Sequence, residues 1–148
     1  MAAGAWVFFN GGKLALGRAL DLSTDTFKIT LHNSTYTPNA STQSAYADLT
    51  NELSTANGYT NGGATLANVT WTNTAGTEKF TSDAVVWTAS GAGITAMYAV
   101  LRASGTFNTV VGPLIAYCLL DSTPQDVTAS AGNNLTITPH ANGYFNLT

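Results

Sequence analysis

Apolar and polar positions alternate along much of this chain in short β-branched and aromatic runs, separated by Gly, Asn and Pro. Alternation with a period of two marks strands with one buried face, and regular turn signals between such runs mark an all-β sandwich or barrel. In Thr26–His32, Phe27, Ile29 and Leu31 fall on one face and Lys28, Thr30 and His32 on the other. Leu66–Trp71 follows a turn-rich stretch and reads as a strand. So do Phe80–Thr88 and Ile94–Leu101, joined through Ser90-Gly91-Ala92-Gly93. Pro113–Leu120 is a continuous apolar run, the pattern of a strand covered on both faces. Leu135–Thr138 and Tyr144–Leu147 follow, with Pro139 and Asn142-Gly143 as breakers between them. The expected fold is mainly β, a jelly-roll-like antiparallel β-sandwich or barrel. No linker, repeat or composition shift divides residues 1–148, so one domain is expected.

One stretch breaks the period. Thr42–Leu53 sets Tyr46, Leu49 and Leu53 at helical spacing, with Ser41 as an N-cap and Asn57-Gly58 as a stop. It predicts one short helix near residues 42–53. The opening of the chain is ambiguous. Lys13–Leu20 fits a short helix, with Leu16 and Leu20 four apart, or the second arm of a hairpin turned at Asn10-Gly11-Gly12.

Composition narrows the function more than the fold. Hydrophobic residues make up 45% of the 148 residues and charged residues only 9%, with a net charge of −3. Polarity comes instead from Thr, Asn and Ser, which favour strands, turns and caps. The five basic residues, Lys13, Arg18, Lys28, Lys79 and Arg102, are scattered, which argues against a nucleic-acid-binding face. No run of about 18 apolar residues is present, so no membrane helix is expected. The start, Met1–Phe9, lacks the basic segment of a secretory signal, and synthesis in a cytoplasm is the expectation.

Catalytic and metal-binding patterns are weak. The lone Cys118 sits in an apolar run without a basic neighbour and reads as a core thiol. Gly91-Ala92-Gly93-Ile94-Thr95-Ala96 matches a dinucleotide-binding pattern. It has no carboxylate about 20 residues on and leads into a strand, so a tight turn is expected. His32 and His140 lack a nucleophile motif beside them, and Asp21 and Asp25 lack the further ligands of a calcium loop. Trp71, Trp87, Tyr59, Tyr98 and Tyr144 could build a sugar-binding platform, but in a β-rich chain such residues mostly form the core. The expectation is a non-enzymatic protein without metal or cofactor.

A series of phrases adds a resemblance. Asp21-Leu22-Ser23-Thr24-Asp25-Thr26-Phe27-Lys28-Ile29 leads into Ser34-Thr35-Tyr36-Thr37-Pro38-Asn39. Asp48-Leu49-Thr50-Asn51-Glu52 and Gly58-Tyr59-Thr60-Asn61-Gly62-Gly63-Ala64-Thr65-Leu66 follow. Asp83-Ala84-Val85-Val86-Trp87, Pro113-Leu114-Ile115-Ala116-Tyr117 and Ala141-Asn142-Gly143-Tyr144-Phe145-Asn146-Leu147 complete the series. In this order the chain resembles, from Leu20 onward, small virion structural proteins of tailed bacteriophages and prophages. It departs at the N-terminus, where such proteins tend to carry a more polar amphipathic helix and this chain has Trp6-Val7-Phe8-Phe9.

The resemblance implies a structural role in the virion. The preferred place is the capsid surface, as a head decoration (cement) protein bound to the major capsid protein and self-associated as a homotrimer. A tail or fibre component is the alternative of the same class, and a host-glycan-binding module the alternative of another. Residues 1–12 are expected to form a docking arm, with Trp6, Val7, Phe8 and Phe9 as the partner contact.

Overall fold

A computed structural model describes residues 3–147 and shows a mainly β, sandwich-like fold with every strand pair antiparallel. In chain order the elements are β1 (Val7–Phe8), α1 (Asn10–Arg18), β2 (Phe27–His32), β3 (Ala64–Thr65), β4 (Thr70–Thr74) and β5 (Thr77–Thr81). Then come β6 (Val85–Thr88), β7 (Ile94–Ala96), β8 (Tyr98–Ala103), β9 (Thr106–Phe107) and β10 (Val110–Val111). The last are β11 (Leu114–Leu119), β12 (Val127–Ala129), β13 (Asn134–Ile137) and β14 (Phe145–Leu147).

The central sheet has the order β1-β11-β8-β2-β3. Its inner face follows from the alternation in β2, where Ile29 lies opposite Leu101 and Leu31 opposite Ala99. Phe27, Ile29, Leu31, Leu101, Ala116 and Cys118 are fully or almost fully buried there. They pack against Phe80, Trp87, Ile94, Leu135 and Phe145 from three smaller sheets, β14-β5-β4, β13-β6 and β12-β7. Two of these form one bent ribbon, because β6 and β7 turn at Ser90–Gly93 while β12 and β13 turn at Ser130–Asn133.

The other face of the central sheet is covered as well, by the long connection 33–62 rather than by a second sheet. Thr30 and His32, on the polar side of the alternation, are 0% exposed. A second, smaller cluster of Phe9, Tyr36, Val100 and Leu114 fills the space beneath this cover. The two-sided burial expected for Pro113–Leu120 is present, with Leu114, Ile115 and Ala116 all at 0% exposure.

The helix lies elsewhere than the 42–53 periodicity predicts. That stretch holds only a 3₁₀ turn at Tyr46–Asp48. Local side-chain bonds explain the difference. Asp48 Oδ2 accepts from Ser44 N (2.8 Å) and Ala45 N (2.9 Å), while Asn39 Oδ1 accepts from Ser41 N (3.0 Å) and Thr42 N (3.2 Å). Such bonds offer the backbone an alternative to the helical ladder. Leu49 is already extended and Asn51 has φ of 55°, so the turn cannot propagate.

Among the described residues the one α-helix is instead α1, which settles the ambiguous opening and takes Asn10-Gly11-Gly12 as its first turn. Glycine is poor in helices but required here. A Cβ on Gly12 would meet Leu114 O at 2.5 Å and Ile115 O at 2.6 Å, so the helix rests directly on the backbone of β11.

Within the expected docking arm, residues 7–12 are part of the folded body rather than free of it. Val7 pairs with Tyr117 and Phe8 with Ala116, which makes β1 the edge strand of the central sheet. Residues 1 and 2 lie outside the described residues.

Candidate functional site

The four residues expected to make the partner contact separate by strand alternation. Phe9 is 0% exposed, its ring 5.2 Å from Tyr117, and Phe8 packs on Phe145 at 4.9 Å. Trp6 meets Tyr144 edge-on at 5.4 Å. Val7, at 44% exposure, is the one that points outward. Intramolecular packing therefore accounts for Trp6, Phe8 and Phe9, and a contact with another chain through this segment has Val7 as its main apolar surface.

Titratable groups converge at a place the alternation pattern does not reveal. Glu52 Oε1 accepts from Tyr59 OH (2.7 Å) and Gly62 N (2.6 Å), and its Oε2 accepts from Tyr46 OH (2.6 Å). Burial first, and then the bond to Glu52, pushes the Tyr46 hydroxyl up to about 12 and the Tyr59 hydroxyl higher still. Both phenols therefore remain donors across the physiological range. Tyr59 OH also accepts from Leu31 N (3.1 Å), and Leu53 N donates to Leu31 O (2.9 Å). The connection thus takes over the strand edge of β2 where β3 stops.

Arg102 closes the other side. Its guanidinium carbon sits 4.0 Å above the Tyr46 ring centroid, and Nη2 donates to Gly62 O (2.8 Å). The Gly62 residue is therefore gripped twice, by Glu52 at N–H and by Arg102 at C=O. Arg102 Nε is buried without a hydrogen-bond partner among the described residues.

His32 pins the same cover. Its Nδ1 lies 2.9 Å from Thr50 O, which can only accept, so Nδ1 carries the proton and the neutral ring's Nε2 accepts from Thr30 Oγ1 (2.9 Å). Desolvation lowers its pKa, opposed by the Thr50 bond and by Glu52. This cluster holds a loop on a sheet. Each Glu52 oxygen accepts at least one hydrogen bond, and both ring nitrogens of His32 are engaged.

The remaining candidates are placed as follows. Cys118 is buried at 2% exposure, its thiol pushed up to about 12 by desolvation. Gly91–Ala96 is a turn running into β7, without a helix to receive a phosphate. Asp21 accepts from Ser23 N (2.8 Å) and Asp25 from Asp21 N (2.7 Å), so both work as turn formers. His140 Nδ1 bonds Asn142 N (3.1 Å) within a turn. Among the described residues no group of three His, Cys, Asp or Glu side chains is placed to hold a metal ion.

Hollows on the surface of the described residues include one of about 620 Å³ that runs from Trp6, Cys118 and Leu120 along β12 and β13, with Asn133, Asn134 and Thr136 on its wall. None of its lining residues carries a formal charge. A second, about 420 Å³, lies among Leu16, Leu20, Leu22, Trp71, Phe145 and Leu147, with Asp21 its only charged group. A third, about 220 Å³, lies between α1 and the β9–β10 hairpin. Leu14, Val86, Val111 and Leu147 are each at least half exposed.

Sequence reasoning missed the Glu52 cluster because its members, Tyr46, Glu52, Tyr59 and Arg102, share no periodicity. One signal was available, since Glu52 is the only charged residue between Asp48 and Glu78. Compared with protein-family models, curated proteins and solved structures, the chain matches none of them.

Proposed function

We propose that this protein is a bacteriophage virion structural protein, a decoration or cement protein that binds the outer capsid and holds subunit seams without catalysis. The observation that carries the reading is where the chemistry goes. Glu52, His32, Tyr46 and Tyr59 are spent on fastening the 33–62 connection, while the surface offers uncharged strands and separate apolar anchors. A seam-binding protein uses such a surface for shape complementarity and apolar burial rather than for turnover. Self-association on the particle, with a trimer assembled at threefold positions of the capsid, belongs to the same proposal, as does the virion location itself.

Two measurements test it. Imaging of the virion is expected to find this chain on the capsid; density in the tail instead would move the assignment to a tail or fibre role. Occupancy on purified particles is expected to hold from low to molar salt, because screening acts on few charges, and to loosen in mild urea. Release by salt alone would refute the apolar seam. A second reading, recognition of a neutral glycan, draws on the charge-free groove beside Trp6, Asn133 and Asn134. Binding on a glycan array that is lost in Trp6→Ala would favour it.

A further inference from the structure

Among the described residues, β4 has β5 as its one strand neighbour, so its other edge presents unpaired N–H and C=O groups. It is the longest such edge in the molecule, five residues against two to four elsewhere. Proteins usually blunt edges with charge, proline, bulges or short length. Here the register with β5 is unbroken from Thr70↔Thr81 to Thr74↔Thr77. No charged residue or proline occurs from Leu53 to Thr77. The hairpin tip is a tight turn with positive φ at Ala75 (52°) and Gly76 (83°), which suits the twist of the strands. Thr70, Thr72, Asn73, Thr74, Ala75 and Gly76 are all exposed.

The pattern on β4 is also self-complementary. Thr70, Thr72 and Thr74 share the outer face, while Trp71 turns inward toward Phe145 at 6.0 Å. Read in either direction, the outer face is Thr, Thr, Thr. We propose that β4 pairs antiparallel with β4 of a second copy about a twofold axis through Thr72. Two three-stranded sheets then become one of six. Thr70 lies opposite Thr74 of the second copy, so the two flanking rows on the outer face run Thr81, Thr70, Thr74, Thr77 across the junction, while the central row runs Lys79, Thr72, Thr72, Lys79 with two strands between the ammonium groups. Threonine pairs across strands are favourable, and no like charges meet. The nearest charges are already engaged on β5: Asn73 Nδ2 donates to Glu78 (2.6 Å) and Lys79 Nζ to Ala141 O (3.2 Å). A two-directional threonine pattern is used in full only by an antiparallel copy of itself, which is why the occupant is a second copy. A five-residue edge alone buries less than the roughly 1,200 Å² of a standard interface, so the pairing is reversible and strengthens where copies are held side by side. The inference stands apart from the virion reading.

Sedimentation equilibrium of the full chain tests it. The expected result is a concentration-dependent monomer–dimer equilibrium. Thr72→Lys sets two ammonium groups at the axis and is expected to weaken association at least tenfold without lowering the melting temperature. Thr72→Cys is expected to give a disulfide-linked dimer under mild oxidation, since directly opposed residues lie within disulfide reach. Thr128→Cys, exposed on edge strand β12, is the control and is expected to form no disulfide-linked dimer. A chain that remains monomeric at millimolar concentration overturns the proposal. So does a dimer indifferent to Thr72→Lys, or cross-linking at position 128 equal to that at 72.

Discussion

Replacing Phe9 by alanine separates the two roles open to the N-terminal segment. Phe9 is fully buried in the smaller cluster with Tyr36, Val100 and Leu114, and its backbone N–H is bonded to Ile115 O at 3.0 Å. Truncating a buried phenylalanine removes its transfer free energy and leaves a cavity, together about 3–5 kcal/mol. For a domain of this size each kcal/mol lowers the melting temperature by about 2–4 °C, so a drop of roughly 6–20 °C is expected. Val7→Ala, at an exposed position two residues earlier, is expected to stay within about 0.5 kcal/mol of wild type. Differential scanning calorimetry with urea titration of both variants makes the measurement, the urea slope checking that the unfolded state is unchanged. Unchanged stability in Phe9→Ala, coupled with lost binding to particles, would refute the core assignment and restore the docking arm.

Gly12→Ala is expected to destabilise, because an overpacking cost of about 1–3 kcal/mol against β11 outweighs about 1 kcal/mol of helix propensity. Gly17→Ala, where a Cβ meets nothing within 4 Å, is expected to raise the melting temperature. Glu52→Gln exchanges a carboxylate that accepts three hydrogen bonds for an amide with its own donors. A loss of about 1–3 kcal/mol is expected, with faster hydrogen exchange across residues 46–62 as the direct readout. The folded state holds His32 neutral with a pKa below 6.5, so the unfolded chain takes up its proton first. The stability this contributes is complete above about pH 6.5 and is lost as pH falls through the lower folded value. Thermal melts between pH 7 and 5 are expected to show this decline, and His32→Gln to flatten it.

The sheet was legible wherever one physical demand dominated. Alternation in Phe27–His32 and the apolar run Leu114–Leu119 each report burial directly, and both strands form where expected. Breaks inside strands were not legible. Phe80–Thr88 divides at Ser82–Ala84 and Ile94–Leu101 at Met97, because the chain must pass from one sheet to another, a demand set by distant partners. The helix position turned on hydrogen-bond competition. Tyr46, Leu49 and Leu53 have helical spacing, yet Asn39 and Asp48 hold the backbone around them in turns. Polarity left His32 open between solvent and a structural role, and here its strand face meets a cover pinned through Thr50 and Glu52. For the N-terminal aromatics, hydrophobicity identified a contact surface without saying whether the partner is another chain or the body of this one.

The pairing of β1 with β11 carries a consequence for biosynthesis. Val7 leaves the ribosome ahead of its partner Tyr117, which is made more than a hundred residues later. The same holds across the sheet, since β2 waits for β8 and β8 for β11. At an elongation rate of about 5–20 residues per second, β1 spends about 5–20 s without its partner. No portion of the chain ending before Leu114 contains the strand that joins β1 to β8, so the two cannot be linked until β11 is made. Until then β1 and one edge of β8 have unpaired backbone groups, open to neighbours on the same polysome as well as to their own partner.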